Sequence, residues 1–317
     1  MHLCPLVVAD IGGTNARFAV ATANGAKFSL SQITNYHCGS AQGLAELLGR
    51  YFADIAGEKP DRACLAIAGP NDGRTGIVTN LRWSVDAAAL ERDLGLSHVL
   101  LANDFAALAS AAPALGDADT LLLKPGRARA DGPISVLGPG TGLGVALVVP
   151  HGGSFTTVST EGGHMGFAPV TREESALCAH VRRHLPHVSI ESLLCGAGLT
   201  RIHAFVSGGE GLPASEVSAR ALAGSDAHCA QAVDMFLAIL GSAAGDVALV
   251  HGATGGVLIG GGIVPRLRSL IATSAFSERF VAKDPMRALL AQMPVHLITA
   301  EHIALHGAAA LYWQPRA

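Results

Sequence analysis

The chain alternates short apolar runs of strand length with longer stretches in which apolar residues recur at helical spacing. Apolar runs at 7–11 and 16–20 are separated by two glycines, and this pattern predicts a hairpin. Residues 41–55 show helical spacing at Leu44, Leu47, Leu48 and Tyr51. Strand-length and helix-length segments in alternation predict a mixed α/β protein.

The same patterns predict the remaining elements. Further strands are predicted at 27–33, 63–68, 98–102, 119–124, 134–137, 145–149, 256–260 and 295–299. Helices are predicted at 84–94, from 105, and at 171–185, 213–223, 225–250 and 302–313. We expect Ser84 to cap the first of these helices, and Thr171 with Glu174 to form a capping box.

An uncharged segment at 247–265 is nearly long enough to span a bilayer. It contains six glycines, and glycine disfavours a helix interior. We therefore predict the end of a helix, a buried strand and a glycine loop there.

Two glycine turns resemble each other. Asp10 ends the first strand and leads into Gly12, Gly13, Thr14 and Asn15, while a later strand leads into the loop 138–144. Gly13-Thr14 in the first turn matches Gly140-Thr141 in the second, and a strand follows each. Glycine lets backbone N–H groups approach phosphate oxygens closely, so the repetition favours a duplicated fold that holds a phosphate. Ordinary Gly-Thr turns are the alternative.

Composition narrows the class of protein. The 317 residues carry a formal charge of -3 with no long basic or acidic run, so we expect neither a nucleic acid nor a membrane as partner. Half of the residues are hydrophobic, which is typical of a compact fold. Six scattered cysteines and no recognisable signal peptide predict reduced thiols and a cytoplasmic location.

The candidate site residues are polar residues next to predicted strands and glycines. Asp104 follows Asn103 at the end of a strand, where open α/β sheets bind ligands, and with an ordinary pKa near ~3.9 it is expected to be ionised at pH 7. Glu161 and His164 flank two glycines, and a zinc site there lacks further ligands. Glu191 precedes another glycine pair. The alternative roles are an ordinary turn residue for Asn103, a surface residue or helix cap for Asp104, and a first-turn helix acid for Glu191.

Six segments in order resemble the bacterial glucokinases of the sugar-kinase/actin-like superfamily. They are DIGGTNAR, AND, GPGTGLG, STEGGH, the Ser-Ile-Glu before CGAGL, and GGGIVPR. The resemblance extends from residue 6 to about 313. It is looser at 69–72 and in the segment 80–83 on the sugar side.

The resemblance implies a two-lobed actin-like ATPase (ribonuclease H-like) fold with a duplicated mixed-sheet core and an interlobe cleft. We expect 1–103 with 303–317 in a small lobe and 104–302 in a large lobe. The implied reaction is phosphorylation of the 6-hydroxyl of glucose by ATP with Mg²⁺. A homodimer is expected.

The resemblance also implies roles for particular residues. Asp104 is the expected general base, and Asp10 the residue that orders Mg²⁺. The sugar is expected to contact Asn103, Asp104, Glu161, His164 and Glu191. The nucleotide is expected to contact Gly12, Gly13, Thr14, Asn15, Gly140, Thr141, Gly142, Gly261 and Gly262.

Three other functions share parts of this pattern. A kinase for fructose or an N-acetylhexosamine is the nearest, although the related ROK kinases typically carry a cysteine-rich zinc element after Glu-Ile-Gly-His. Here Met165-Gly166-Phe167-Ala168 follows instead. A repressor would need a helix-turn-helix, for which residues 1–6 leave no room. A filament protein of the actin type would need no sugar-binding residues such as Glu161, His164 and Glu191.

Overall fold

The computed structural model describes residues 4–24 and 27–313, in which helices flank two large sheets and one two-stranded sheet. The strands are β1 Leu6–Ile11, β2 Asn15–Asn24, β3 Lys27–His37, β4 Arg62–Ile67, β5 Thr75–Val78, β6 Trp83–Asp86, β7 His98–Asn103, β8 Thr120–Lys124, β9 Ile134–Pro139, β10 Leu143–His151, β11 Ser154–Thr160, β12 Gly256–Ile259 and β13 Val295–Ile298. The helices are α1 Leu44–Asp54, α2 Ala87–Leu94, α3 Asp104–Ser110, α4 Arg172–Arg182, α5 Gly196–Ser207, α6 Ala214–Ala223, α7 Ala227–His251, α8 Arg268–Ile271, α9 Phe276–Val281, α10 Arg287–Gln292 and α11 Ile303–Trp313.

The two large sheets repeat one strand order. The first has the order β3-β2-β1-β4-β7, and the second has β11-β10-β9-β12-β13 with β8 added at its edge. In the first, β1 is antiparallel to β2 and parallel to β4, which is parallel to β7. In the second, β9 is antiparallel to β10 and parallel to β12, which is parallel to β13. The duplicated mixed-sheet core predicted from the two glycine turns is confirmed.

The chain divides into two compact units. The first comprises Met1–Gly116, His151–Ser159 and Ala300–Ala317, and the second comprises Asp117–Pro150 and Thr160–Thr299. The division after residue 103 expected from the sequence therefore moves to Gly116. The reason is that α3 packs against α11 inside the first unit.

Apolar side chains cover both faces of the first sheet. In β1, Val7 and Ile11 belong to a core with α1 and α2, whereas Leu6 and Val8 belong to a second core with α11. This alternation follows from the two-residue period of a strand. In the central strands β1 and β4, the residues inside the strand are buried and apolar, and Asp10 lies near the end of β1.

Helix α7 is the centre of the second unit. By length and composition it is the one helix among the described residues that could cross a membrane, but 72% of its most apolar window is buried inside the protein. Gly241 and Gly245 let it approach the backbone of Phe276 and Phe280 in α9. A helix that is apolar on all sides is typical of a protein core.

Several local elements differ from the predictions. Ser84 lies in β6 and does not cap α2, because the pairing of β6 with β5 extends to Asp86, which caps the helix instead. The hairpin β5–β6 and strand β11 were not predicted, although Gly152-Gly153 marks a turn before β11. Helix α5 was not predicted either, because it begins with glycines. Its cap is Cys195, so Glu191 is not a first-turn residue.

The crossing of α3 and α11 depends on Gly307, and we expect Gly307→Ala to destabilise the protein. A Cβ at this position would lie 1.6 Å from the carbonyl oxygen of Ala107. Because the obstacle is backbone, the helices must separate, at a cost of about 1–3 kcal/mol or more. Urea unfolding measures the change.

Gly49→Ala is the matched control, because a Cβ in this helix interior would meet only Leu94 Cδ2 at an ordinary 3.7 Å. It should be neutral or stabilising by up to about 1 kcal/mol. Equal stability of Gly307→Ala and the wild type would show that the helix crossing tolerates a side chain.

Candidate active site

The turn between β1 and β2 presents backbone donors. Ile11 and Ala16 form the last pair of the hairpin, and the Gly12 N–H donates to the Asn15 carbonyl at 3.0 Å. Within residues 4–24 and 27–313, the N–H groups of Gly13 and Thr14 have no hydrogen-bond partner. The turn therefore offers two unpaired N–H donors to an anionic ligand.

A close neighbour leaves little room for a side chain at Gly13. A Cβ at Gly13 would lie 2.9 Å from both Cβ and Nδ2 of Asn80. Asn80 belongs to the segment 80–83, where the resemblance was loosest. The structure thus places this segment directly against the first glycine turn.

Asn103 and Asp104 begin helix α3. The Asn103 Oδ1 caps the helix by accepting from the N–H groups of Phe105 and Ala106, each at 3.0 Å. Asp104 Oδ1 accepts from the Phe105 N–H at 2.8 Å. The cap of α3 is therefore Asn103 and not Asp104, the residue for which a cap was considered from the sequence, and Asn103 can still offer its Nδ2 amide to a ligand. Asp104 can offer Oδ2.

The pKa values of two carboxyl groups in the first unit, Asp10 and Asp104, are raised. Burial raises the pKa of Asp104 from its ordinary 3.8 to about 6, and the negative charge of Asp10 adds to the rise. Burial also raises the pKa of Asp10, against the lowering effect of Arg17. The expectation of an ordinary pKa for Asp104 was wrong, because the sequence does not show how deeply this side chain is buried.

Arg17 is a site residue that the sequence analysis missed. It is the β2 partner of Asp10 in the antiparallel pairing of β1 with β2. Its positive charge favours the ionised form of Asp10. The sequence could have indicated Arg17, because a hairpin with this turn pairs Asp10 with the residue seven positions later.

The second glycine turn is fixed by its neighbours. Its Gly140 N–H donates to the Gly142 carbonyl at 2.8 Å, and the Gly140 carbonyl accepts from the Gly196 N–H at 2.9 Å. Among the residues that the structure describes, the Thr141 and Gly142 N–H groups have no hydrogen-bond partner. This turn matches the first in offering two free donors.

The Glu191 side chain contacts this second glycine turn. Its Oε2 accepts from the Leu143 N–H at 2.8 Å, and a Cβ on Gly142 would lie 2.6 Å from the same oxygen. Glycine at 142 is therefore needed for the carboxylate to reach the loop. Glu191 links the glycine turn to the segment that carries His164.

His164 lies between two carboxylates of the second unit. Its Nδ1 is 3.8 Å from Glu191 Oε1, and its Nε2 is 3.8 Å from Glu161 Oε2. Glu161 is 91% exposed and Glu191 only 30% exposed. The structure thus brings these three predicted residues together, and Glu191 is the one held in place by the fold.

The third glycine segment follows β12. Gly261 has φ +81°, and a Cβ there would lie 2.3 Å from the Pro139 carbonyl oxygen. Gly262 borders open space, because a Cβ at this position would meet no described atom within 4 Å. Gly261 therefore packs on the second turn, while Gly262 leaves room for a ligand.

Comparison with known structures defines the fold class of the protein. A ROK family glucokinase from Streptomyces griseus, crystallised with glucose and AMPPNP, superposes with a TM-score of 0.66 at 18% identity, covering 97% of this chain and 98% of that one. The fold is therefore that of the actin-like sugar kinases.

More similar proteins define the family. The family model described as Glucokinase matches residues 7–315, and the chain belongs to this family. The glucokinase of Chromobacterium violaceum is 43% identical over 311 residues, or 96% of this chain and 88% of that protein. A crystal structure of a glucokinase from an Antarctic psychrotroph has a TM-score of 0.88 at 38% identity and covers 98% of both chains.

The burial of Asp104 generates a pH-dependent prediction. Its folded-state pKa of about 6 lies above the ordinary 3.8, so the folded protein holds this proton more tightly than the unfolded chain. The free energy of unfolding should therefore fall as the pH rises from 3.8 to about 6, and this contribution should be level above that range. The loss from Asp104 is at most about 3 kcal/mol.

Asp104→Asn removes this loss, so the variant should melt at a higher temperature than the wild type at pH 7. The difference should shrink towards pH 4. Asp93→Asn is the control, because this carboxylate on α2 is exposed. A lower melting temperature for Asp104→Asn at pH 7 would contradict the burial of a charge.

Proposed function

We propose that the protein transfers the γ-phosphoryl group of ATP to the 6-hydroxyl of glucose. The observation that carries this proposal is the Asp104 carboxyl, held at the start of α3 with a pKa raised to about 6. A general base works best when its pKa lies near the working pH. Membership of the glucokinase family supports the choice of sugar and reaction.

Asp104 is the proposed base. Its Oδ1 is occupied by the Phe105 N–H, so Oδ2 is the atom that accepts the proton of the sugar hydroxyl. At pH 7 the carboxyl is mostly ionised, because its pKa is about 6. The neighbouring charge of Asp10 strengthens its affinity for the incoming proton.

Four further side chains are the proposed contacts of the sugar hydroxyls. Asn103 contributes its Nδ2 amide, because Oδ1 caps α3. Glu161, His164 and Glu191 form one cluster that can accept and donate hydrogen bonds. Bonds to carboxylates are roughly twice as strong as bonds between neutral groups, which suits a ligand rich in hydroxyl donors.

The glycine segments are the proposed nucleotide contacts. Unpaired N–H groups of Gly13, Thr14, Thr141 and Gly142 can donate to phosphate oxygens. The turn residues Gly12, Asn15 and Gly140 hold these donors in place. Gly261 and Gly262 are proposed to lie against the adenosine. The Streptomyces griseus relative with AMPPNP supports ATP as the donor.

Asp10 is the proposed residue for Mg²⁺. The described residues contain no group of three His, Cys, Asp or Glu side chains suited to a metal. This fits Mg²⁺, which commonly uses one or two carboxylates together with waters and substrate phosphates. The raised pKa of the largely desolvated Asp10 also fits, because a cation would offset the cost of its charge. When bound, Mg²⁺ would neutralise charge on the phosphates.

A coupled assay of ADP release across several sugars tests the proposed function. We expect glucose to be preferred over fructose, mannose and N-acetylglucosamine, and chelation of Mg²⁺ to abolish turnover. Equal rates on all four sugars would refute a glucokinase. An absence of sugar-dependent ADP release would refute a sugar kinase.

Asp104→Asn should reduce kcat by roughly 10²–10⁴-fold, because the amide cannot accept the proton. Glucose affinity should change much less, since an amide still hydrogen-bonds a hydroxyl. The fold should persist, because Asn103 supplies the cap of α3. Near wild-type kcat would exclude Asp104 as the base, with Asp93→Asn again as the control.

Glu191→Gln should weaken glucose binding more than Glu161→Gln. A hydrogen bond to a charged group contributes about 1.5–3 kcal/mol, so the loss at Glu191 should be about tenfold or more. Glu161 is largely exposed, and its loss should be smaller. Glucose titration by calorimetry measures both, with Glu210→Gln as an exposed control. The reverse order would show that Glu161 is the principal contact.

We also propose a cytoplasmic homodimer, on the family resemblance alone. Light scattering of the purified protein should give twice the mass of the 32.3 kDa chain. A mass of one chain at working concentration would refute the dimer.

A further inference from the structure

The second unit contains a cavity of about 210 Å³ beside α7. Most of its wall is apolar, formed by Met165, Phe167, Ile190, Ile239 and Ala243. Apolar walls favour a ligand with apolar surface, because binding removes that surface from water. None of the residues assigned to sugar or nucleotide lines this cavity.

One end of the cavity is polar. Ser242 and Asp246 line it one helical turn apart on α7. Lys283 Nζ donates to Ser242 Oγ at 2.9 Å and lies 2.8 Å from Asp246 Oδ1. In the part of the chain that the structure describes, the Ser242 hydroxyl proton has no acceptor and Asp246 Oδ2 has no donor. The polar end therefore offers one donor and one acceptor.

The charges at this end select the class of ligand. Lys283 balances Asp246, so the pair carries no net charge. An anion would face the Asp246 carboxylate and a cation would face the Lys283 ammonium, and the apolar walls would not solvate either. A neutral hydroxyl or amide can use both the donor and the acceptor.

The wall of the cavity is continuous with the proposed sugar contacts. Met165 directly follows His164 in the sequence, and Ile190 directly precedes Glu191. The Ile190 N–H donates to the Met165 carbonyl at 2.8 Å, and the Glu191 N–H donates to the Gly163 carbonyl at 2.9 Å. A molecule that moves or stiffens this wall must therefore act on His164 and Glu191.

We propose that this cavity is an effector site for a small neutral molecule with an apolar body and one hydroxyl or amide group. Occupancy of the site changes the affinity for glucose through the segments that carry His164 and Glu191. This second part rests on the proposed function. The first part, binding in the cavity, does not.

Benzyl alcohol is a suitable probe, with benzylamine and benzoate as charged analogues of similar shape. Methyl NMR of Ile190 and Ile239 reports binding directly. We expect benzyl alcohol to shift both methyl signals. Both charged analogues should bind at least about tenfold more weakly than benzyl alcohol. An absence of shifts, or equal affinity for all three compounds, would overturn the site.

Two variants test the location. Ala243→Leu places side-chain atoms in the cavity and should weaken benzyl alcohol binding by about tenfold or more. Ser242→Ala removes the hydroxyl and should weaken it by several-fold without filling the cavity. Ala227→Leu, at an exposed position of the same helix, is the matched control. Wild-type affinity in both cavity variants would overturn the site.

Glucose titrations with and without benzyl alcohol test the coupling. We expect a change of about fivefold in glucose affinity, and by linkage glucose must change benzyl alcohol affinity by the same factor. Unchanged glucose affinity would overturn the effector role. Methyl shifts without any sugar-dependent ADP release would refute the proposed function and leave the cavity site supported, whereas turnover without methyl shifts would do the opposite.

Discussion

Desolvation of the Asp10 and Asp104 carboxyl groups is the constraint on which the proposed chemistry depends. Parallel pairing of β1, β4 and β7 brings their carboxyl ends to one edge of the first sheet. Burial raises the pKa of both carboxyl groups there, and the charge of Asp10 raises the pKa of Asp104 further. Desolvation of two carboxyl groups costs stability, and such a cost is typical of a site whose ligands supply positive charge.

In the second unit, the candidate carboxylates Glu161 and Glu191 are held without full burial. Glu191 is partly exposed, yet its Oε2 is fixed by the Leu143 N–H. The glycine at 142 makes this contact possible. One carboxylate therefore supports both the second glycine turn and His164, which couples the proposed phosphate and sugar contacts within one unit.

The family and the fold came largely from the sequence, because they depend on local patterns. Two glycine turns between apolar runs identified both hairpins, and each of the two large sheets contains one of them. The capping box of Thr171 and Glu174 formed as predicted. The errors at Ser84 and α5 arose where pairing or burial overrode a local signal: β5 extended β6 past Ser84, and Leu199 and Ile202 buried a helix that begins with glycines.

The sequence by itself determined which residue types stand at the strand ends, since the order of strands, carboxylates and glycines is written along the chain. Tertiary structure alone decided their chemistry. The raised pKa of Asp104 comes first from its burial and then from the charge of Asp10, which is distant in sequence and near in space. Likewise, Glu191 acquires a fixed position only because Leu143 and Gly142 meet it. Desolvation and close approach are properties of the packed chain, and no local pattern encodes them.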